Sequence, residues 1–482
     1  MLTLVLLLAA VGVNAQVTTA SMGGRVTDAS NEPIIGATIQ AVHVPSGSQY
    51  GTVTNVDGRY SIQGMRTGGP YTVTISYIGY QTIVLKDITL QLGEVYNQNV
   101  EMDESSEILT EVVVTAAKTK FAAEKTGAST NISSSQMKQL PTINRSISDI
   151  ARLSPYASGM NMAGGDGRST NFTIDGANFN NNFGLSSALP GGGNPISMDA
   201  IEEVQVVIAP FDVRQTNFIG GGINAVTKSG TNTFQGTAYT YHYNDNMRGS
   251  RVDGQSLNVP EENDKHIYGA TFGGPIVKNK LFFFGNVEYQ KIPSTIVNWR
   301  ASEDGIANPD NYISATRLSD MQKVSEFVKQ KYGYDTGSYT SFPADETNLK
   351  LLGRIDWNIN QYHKLAVRYN YTKNTAWNQT NGNSSDTGYR LNGMNRFSQY
   401  SMAFANSCYS MDNKVSSVSA DLNSRFSNNM SNQLLFTYTN IQDVRGTDSS
   451  PFPFIDIMGG YDASTGVQTL QPYMSLGYEL FT

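Results

Sequence analysis

From residue 234 onward, apolar and polar side chains alternate along segments of about ten residues. In residues 281–289, Phe283 and Val287 share one face, and Asn286 and Glu288 share the other. Because successive side chains of a strand point to opposite faces, each segment is predicted as a strand with one apolar and one polar face. The predicted strands lie near residues 234–244, 266–275, 280–290, 348–358, 363–373, 414–426 and 431–441.

The connections between these strands alternate between short and long. Residues 278–280 and 427–430 are tight turns, whereas residues 291–347 form a very long connection. Residues 399–408 also look extended, but a spanning strand there would break the alternation, so we assign them to a loop. A soluble sandwich would also alternate, with less unequal loops. The pattern therefore indicates an antiparallel transmembrane β-barrel.

Residues 22–102 also alternate, in shorter segments separated by turns. Residues 34–42 and 71–77 are predicted strands, and Asp57-Gly58 is a hairpin turn signal. Several short strands in one such segment predict a small β-sandwich. The order G-x-V-x-D, P-I-x-G-A, T-x-x-D-G-x-Y and Y-x-V-x-I-S-Y-I-G-Y resembles the carboxypeptidase regulatory-like domain, which is similar to transthyretin and to carbohydrate-binding-like folds.

The hexapeptide Glu111–Ala116 is a β-branched run between an acidic, Ser-rich segment and a Lys-containing segment of small residues. Its composition favours an extended backbone. One interpretation is a connecting strand between two domains. The other is a strand that is added to the sheet edge of a partner, the binding mode called β-augmentation.

Residues 121–233 have a mixed pattern that predicts an α+β domain. Residues 133–140 are predicted as a capped short helix that ends at Pro141, and a second helical spacing begins at Ser146. Residues 170–176 and 201–208 are predicted strands. The glycines at 220–222 are not followed by the Gly-Lys-Ser/Thr ending of a P-loop, so a nucleotide site is not predicted.

Six motifs follow one another along the chain and together resemble a TonB-dependent outer-membrane receptor. They are E-V-V-V-T-A, R-S-I-S-D-I, I-D-G, M-D-A-I-E-E-V-Q-V, P-F-D-V-R and G-G-G-I-N-A-V-T-K-S-G-T-N. The likeness covers residues 22–482 and is strongest to the Oar-like branch, which carries the same N-terminal sandwich. It implies a linker at 103–120 with the TonB box at 111–116, a plug domain at 121–233, and the first part of a barrel at 234–482. Such a barrel has about 22 strands, so we expect a C-terminally truncated fragment.

The resemblance also implies the site residues. The TonB-binding residues would be Glu111, Val112, Val113, Val114, Thr115 and Ala116. Residues of the plug motifs are expected to pair with the barrel wall or with each other, or else to be solvated at the surface. They are Arg145, Arg168, Asp175, Gly176, Glu202, Glu203, Asp212, Arg214, Gly221, Gly222, Asn224 and Lys228. Runs of Asn at 178–182 and of Gly at 191–193 predict an adaptable polar loop near the pore.

Composition agrees with an exported β protein. The chain has 482 residues, a net charge of −7 and 39% hydrophobic residues, with 26 Tyr and 20 Phe against 3 Trp. Residues 1–15 are predicted as a signal peptide, although no Lys or Arg precedes their apolar run. The single cysteine, Cys408, excludes a disulfide within the chain. Export and the resemblance together predict the bacterial outer membrane.

The predicted function is TonB-dependent active uptake of a glycan, a peptide or a metal chelate. The alternative is an outer-membrane adhesin or structural surface protein without transport. The expected partners are the TonB complex, outer-membrane lipids, the nutrient and a surface lipoprotein, with no nucleic acid, since the charge is negative. His43, His242, His266 and His363 lie scattered without metal-ligand spacing, so neither an enzyme nor a metal or cofactor site is predicted.

Overall fold

The computed structural model describes residues 17–104, 112–115, 128–140, 142, 145–180, 189–208, 215, 219–244, 247, 251–256, 264–380, 396–428, 430–459 and 472–478. The predicted signal peptide, the two ends of the hexapeptide and part of the plug lie outside these residues. No helix in the described part of the chain is both long enough and apolar enough to cross a membrane.

The N-terminal segment forms two packed sheets, as predicted. Its strands are β1 (Ala20–Asp28), β2 (Thr38–His43), β3 (Ser48–Val53), β4 (Arg59–Met65), β5 (Gly68–Ser76), β6 (Ile83–Leu90), β7 (Val95–Asn97) and β8 (Val100–Met102). One sheet has the order β4-β1-β7, with β8 also paired to β1, and the other contains β3-β2-β5-β6. Alternate residues of β2 and β5, such as Ile39 and Val73, are fully buried between the sheets. The strand predicted from residue 34 begins only at Thr38, because Gly36 turns the chain with a φ of 80°.

A ninth strand, β9 (Val112–Thr115), lies at the edge of the second sheet. It runs parallel to β6, with Ile83 opposite Val112 and Lys86 opposite Thr115. The central part of the hexapeptide is therefore already an added strand on the sandwich of its own chain.

The next domain, here called the plug, combines a five-stranded sheet with two short helices. Its elements are β10 (Ala128–Ser133), α1 (Ser134–Gln139), α2 (Ile147–Ala151), β11 (Ala157–Ser158), β12 (Asn161–Met162), β13 (Asn171–Ile174), β14 (Ala177–Asn178), β15 (Ile201–Ile208) and β16 (Gly221–Thr227), with 3-10 turns at Gly167–Ser169 and Met198–Ala200. The sheet order is β10-β15-β16-β13-β14. Capping boxes begin both helices, at Ser133 and at Ser146, as the predicted start positions require.

The C-terminal half forms one seven-stranded antiparallel sheet, here called the wall, with small elements at one of its rims. In chain order the elements are β17 (Gln235–Tyr243), β18 (Arg251–Val252), β19 (Gln255–Ser256), β20 (Lys265–Val277), β21 (Leu281–Ile292), β22 (Arg300–Ser302), β23 (Ile313–Arg317), α3 (Leu318–Tyr332), β24 (Glu346–Asn358), β25 (His363–Asn378), β26 (Met402–Ala403), β27 (Tyr409–Ser427), β28 (Met430–Gly446), β29 (Phe452–Met458) and β30 (Pro472–Tyr478), with 3-10 turns at Pro309–Asn311 and Ala405–Ser407. The wall has the order β17-β20-β21-β24-β25-β27-β28, and these are the seven predicted strands.

The two faces of the wall differ in the way that the alternation predicts. Its outer face is apolar, with exposed side chains such as Phe272, Tyr369 and Leu434. Its inner face is polar and covered by the plug, and residues such as Glu288 and Arg354 are buried there. The predicted fold class, a mainly β chain with a sandwich, an α+β plug and a partial barrel, is confirmed.

The long connections at one rim fold into a structure of their own, which here is called the far-rim subdomain (residues 293–345, 396–408, 447–459 and 472–478). It includes the 15-residue helix α3 and the small sheet β26-β30-β29. Its core contains Met321, Phe397 and Met474, and Cys408 is buried there. The long connection predicted at 291–347 is present between β21 and β24, and it carries enough apolar residues to contribute to a separate core.

Candidate functional site

The sandwich, the plug and the wall meet at the rim that carries the short turns. Thr18 donates to a carboxylate oxygen of Asp421 in β27 at 2.6 Å, and Ser48 donates to Asn358 in β24 at 3.2 Å. The backbone N–H of Asn232 donates to the carbonyl of Pro45 at 2.8 Å. These contacts place the sandwich directly beneath the plug.

Asp175 is a buried plug carboxylate that faces two arginines of the wall. Asp175 and Gly176 join β13 to β14, and their φ values of 49° and 80° match the two-residue hairpin turn for which Asp-Gly is a sequence signal. The buried carboxylate accepts hydrogen bonds from the N–H of Thr227 at 3.0 Å and from its hydroxyl at 2.7 Å. It also lies 3.4 Å from Nε of Arg368 and 3.9 Å from Nη1 of Arg354, both on the wall.

These residues belong to a larger cluster, here called the lumen charge network: Arg66, Asp175, Arg354, Asp356, Arg368 and Asp421. Arg354 binds Asp356 through two hydrogen bonds of 2.8 and 2.9 Å. Arg66 reaches in from the sandwich to within 3.4 Å of Asp356 and donates to Ser229 at 3.0 Å. Three cations therefore face three carboxylates, and each of the three structural units contributes at least one charge.

The network is compensated in charge but incompletely hydrogen-bonded. Arg368 lies 3.4 Å from Asp175 and 4.0 Å from Asp421, yet its Nε and Nη1 make no hydrogen bond with any described group. A buried ion pair gains little over its desolvation cost unless its geometry is good. The network therefore selects one arrangement of plug and wall without the strength of a dry, close-packed core.

A second charged cluster lies deeper in the lumen. Lys350 and Glu288, neighbours on the wall, form an ion pair of 2.8 Å, and the plug residue Ser197 donates to Glu288 at 2.8 Å. The plug's Arg145 forms an ion pair with Asp199, and its guanidinium lies 3.8 Å from the ring centroid of Tyr241 on the wall. Both contacts attach the loop that begins β15 to the wall.

Leu92 of the sandwich contacts the plug with both its side chain and its backbone. Its side chain is fully buried with Val17 and Val226. Its N–H donates to the carboxylate of Glu203 at 3.0 and 3.1 Å. Its carbonyl accepts from Gln205 at 2.7 Å and from Asn131 at 2.9 Å. Because both backbone groups of a single residue are hydrogen-bonded to the plug, this contact fixes where the two domains meet, in addition to packing them together.

Glu203 makes this contact sensitive to pH. Burial raises the pKa of Glu203 from 4.5 to about 7, while hydrogen bonds from Asn131 and Leu92 act in the opposite direction. The folded state then binds more protons than the unfolded state between these two values, so stability falls as pH rises through this window.

We expect the melting temperature of the full-length protein in detergent to fall between about pH 5 and about pH 7, and Glu203→Gln to flatten that slope. An unchanged slope in the variant would contradict the assignment to Glu203.

The structure brings some of the predicted plug residues together and leaves others apart. Asn224 accepts from Thr173 at 2.8 Å within the plug sheet, and Lys228 donates to the carbonyl of Asp199 at 2.7 Å. Arg168 is half-exposed and forms an ion pair with Asp166 within the plug. The remaining predicted residues fall into three groups: Glu202, Gly221 and Gly222 lie in β15 and β16; Val112, Val113, Val114 and Thr115 lie in β9; Glu111, Ala116, Asp212 and Arg214 lie outside the described residues.

Several residues of the site were not predicted as site residues: Arg66, Leu92, Lys350, Arg354, Asp356 and Asp421. The alternation does place the wall residues among them on the inner face. Leu92 continues the period-two pattern of Ile88 and Leu90, so the sequence predicts its burial but not its contact with the plug. Among the described residues, no group of three His, Cys, Asp or Glu side chains is arranged to hold a metal ion.

An apolar outer face, a polar inner face and a domain that fills the inner side define the wall of a membrane β-barrel with an internal plug. The profile of the outer membrane beta barrel domain family matches residues 226–481, more than half of the chain, and that of the carboxypeptidase regulatory-like domain matches residues 21–103. The chain belongs to the outer membrane β-barrel family, and its location is the outer membrane.

A curated relative and several solved structures are similar to the chain. The TonB-dependent transporter Oar of Myxococcus xanthus is 24% identical over 376 residues, which are 72% of this chain and 33% of that protein. The chain thus spans about a third of the length of this relative. The siderophore receptor PirA of Pseudomonas aeruginosa is 12% identical with a TM-score of 0.41, over 67% of this chain and 42% of that one. The outer membrane transporter YddB of Escherichia coli is 14% identical with a TM-score of 0.43, over 67% and 40% of the two chains. The Oar relative confirms the resemblance inferred from the motifs.

Proposed function

We propose that this protein is a TonB-dependent receptor that actively imports a nutrient across the bacterial outer membrane. The lumen charge network is the observation that carries the proposal. The described wall adds Phe284, Leu352, Val415 and Ile441 to the apolar core of the plug. A plug attached by this small apolar contact and by compensated charges remains in place at rest, yet it can leave the wall without exposing a large apolar core to water. The nutrient is a glycan, a peptide or a metal chelate, and the protein performs no covalent chemistry on it.

In this proposal, residues 111–116 are the TonB box. TonB captures them by β-augmentation and pulls, using energy from the inner membrane. In the structure, β9 occupies the edge of β6, so TonB has to take the strand from the sandwich before it can pull on the plug.

The first plug element to receive the pull is β10, which is the edge strand of the plug sheet. Its antiparallel pairing with β15 runs from Ala128 opposite Ile208 to Ser133 opposite Glu203. Its Asn131 also holds the carbonyl of Leu92. Its Ser129 donates to Glu94 of the sandwich at 3.0 Å. Removal of β10 therefore breaks one sheet edge and two hydrogen bonds with the sandwich, while β13 and Asp175 are still in place.

Binding of a TonB C-terminal domain to a peptide of residues 105–120, and to the full-length protein, tests the proposal. Micromolar binding that is lost when residues 111–116 are deleted is the expected result. Uptake that survives the deletion would contradict the proposal. If the parent protein shows no uptake, and adhesion persists when residues 111–116 are deleted, the result would instead favour the alternative of a surface adhesin.

A disulfide between β6 and β9 provides a sharper test. Lys86 and Thr115 are opposite each other in the parallel pair. Neighbouring strands lie about 4.8 Å apart, within the Cα separation that a disulfide needs. We expect the oxidised Lys86→Cys/Thr115→Cys protein to lose TonB binding and the reduced protein to regain it. The single variant Lys86→Cys is the control, and equal binding by the oxidised and reduced double variant would show that release from β6 is not required.

A further inference from the structure

A cavity of about 720 Å³ lies between the sandwich and the short turn that joins β27 to β28. Strands β1 and β4 of the sandwich form one side, and residues 425–431 of the wall form the other. Ser431 donates to Gln63 at 3.0 Å and closes one end. We call this space the rim cavity. It lies outside the lumen charge network and the hexapeptide.

Three arginines line the rim cavity. Arg25 and Arg59 are directly opposite each other on β1 and β4, and Arg425 comes from the wall. The described residues around the cavity include no Asp or Glu. Like charges directly opposite each other across two strands destabilise a sheet. An anion bound between the two arginines would offset this repulsion.

The arginines are suited to a tetrahedral oxyanion. Nε of Arg25 donates to the carbonyl of Asp57 at 3.2 Å. Nε of Arg425 donates to the carbonyl of Ser427 at 3.1 Å, and its Nη2 donates to the side-chain oxygen of Asn428. Each guanidinium has five N–H donors in a fixed plane, so donors beyond these bonds remain on both. Guanidinium groups bind phosphate through paired hydrogen bonds, with geometric specificity as well as charge.

The cavity is continuous with the membrane-facing side of the wall. Met430 lines the cavity and begins β28, whose outer face continues with the exposed side chains of Leu434 and Phe436. Phe426, the last residue but one of β27, is also exposed. An anion with hydrocarbon chains can therefore place its charged group between the arginines and its chains along this apolar face.

We propose that the rim cavity binds a phosphate group, and that its source is the head group of an anionic phospholipid in the periplasmic leaflet. The bound lipid joins the sandwich to the wall across the turn, with Arg25 and Arg59 on one side and Arg425 on the other. This site is independent of the transport proposal, because it needs only the outer-membrane location.

Native mass spectrometry of the full-length protein in detergent tests the proposal. The probes are phosphatidylglycerol, phosphatidylcholine and inorganic phosphate. We expect phosphatidylglycerol to bind in preference to phosphatidylcholine, and Arg59→Gln and Arg425→Gln each to lower its occupancy by about tenfold, the effect of one charge-assisted contact. Because the two residues belong to different units, a loss in both variants locates the lipid between them.

Lys86→Gln is the matched control, because Lys86 is an exposed cation on the opposite sheet of the same sandwich. It should retain the lipid, and all three variants should keep the melting temperature of the parent. An equal loss in Lys86→Gln, or equal binding of phosphatidylcholine, would overturn the proposal. Displacement of the lipid by millimolar inorganic phosphate would overturn the lipid as the source and leave a free phosphate as the ligand.

Discussion

Asp175→Asn is expected to weaken the attachment of the plug to the wall by about 3–5 kcal/mol, the cost of removing one partner from a buried ion pair. The substitution preserves the shape of the side chain and one of the two hydrogen bonds that it accepts from Thr227, because an amide has a single acceptor oxygen. It also leaves Arg354 and Arg368 with one carboxylate fewer. Both guanidiniums are almost completely buried, so water compensates little. Urea-dependent proteolysis of the plug in the full-length protein measures the change.

Asp166→Asn is the matched control for this experiment. It removes the same charge from the same domain, but Asp166 and Arg168 are each 48% exposed. Exposed ion pairs contribute about 0–1 kcal/mol, so the control should resemble the parent protein. Equal effects in the two variants would show that the lumen charge network does not hold the plug.

Val113→Pro is expected to lower the affinity of the full-length protein for the TonB C-terminal domain by roughly 10- to 100-fold, and to abolish uptake. Proline removes one N–H from the middle of the four-residue strand β9, and an added strand depends on its main-chain hydrogen bonds. Isothermal titration with the purified TonB domain measures the affinity.

Val56→Pro is a control in the same region of the chain. Val56 is 71% exposed and follows Asn55 in a turn closed by the bond from the N–H of Gly58 to the carbonyl of Asn55. Proline is favoured at this second position of the turn. An affinity that is unchanged in both variants would show that residues 111–116 are not the TonB-binding segment.

The architecture could be predicted from the sequence because its signals are local. The period-two pattern locates all seven wall strands, and the caps at Ser133 and Ser146 locate two helices of the plug. Each of these features is decided by residues that are neighbours along the chain.

The pairings within the site could not be predicted in this way. Arg354 meets Asp175 and Arg66 meets Asp356 only after three separate units are packed together, and no local pattern encodes that packing. The far-rim subdomain is a different case. Met321, Val324 and Val328 in α3 have the spacing of an amphipathic helix, so this signal was present in the sequence.

The core of the far-rim subdomain has a thermodynamic consequence for ligand capture. In outer-membrane barrels the short turns face the periplasm and the long connections face outward. Under the proposed function, this subdomain therefore faces the cell exterior, where a ligand arrives first. Ordering a flexible loop costs about 1–2 kcal/mol of backbone entropy for each residue that is fixed. Here that cost is met during folding, since Arg396 already binds Asp456 and α3 already packs on its neighbours. Under the proposed function, a ligand that binds this subdomain therefore meets a surface that is already ordered, and the entropy cost of capture is low.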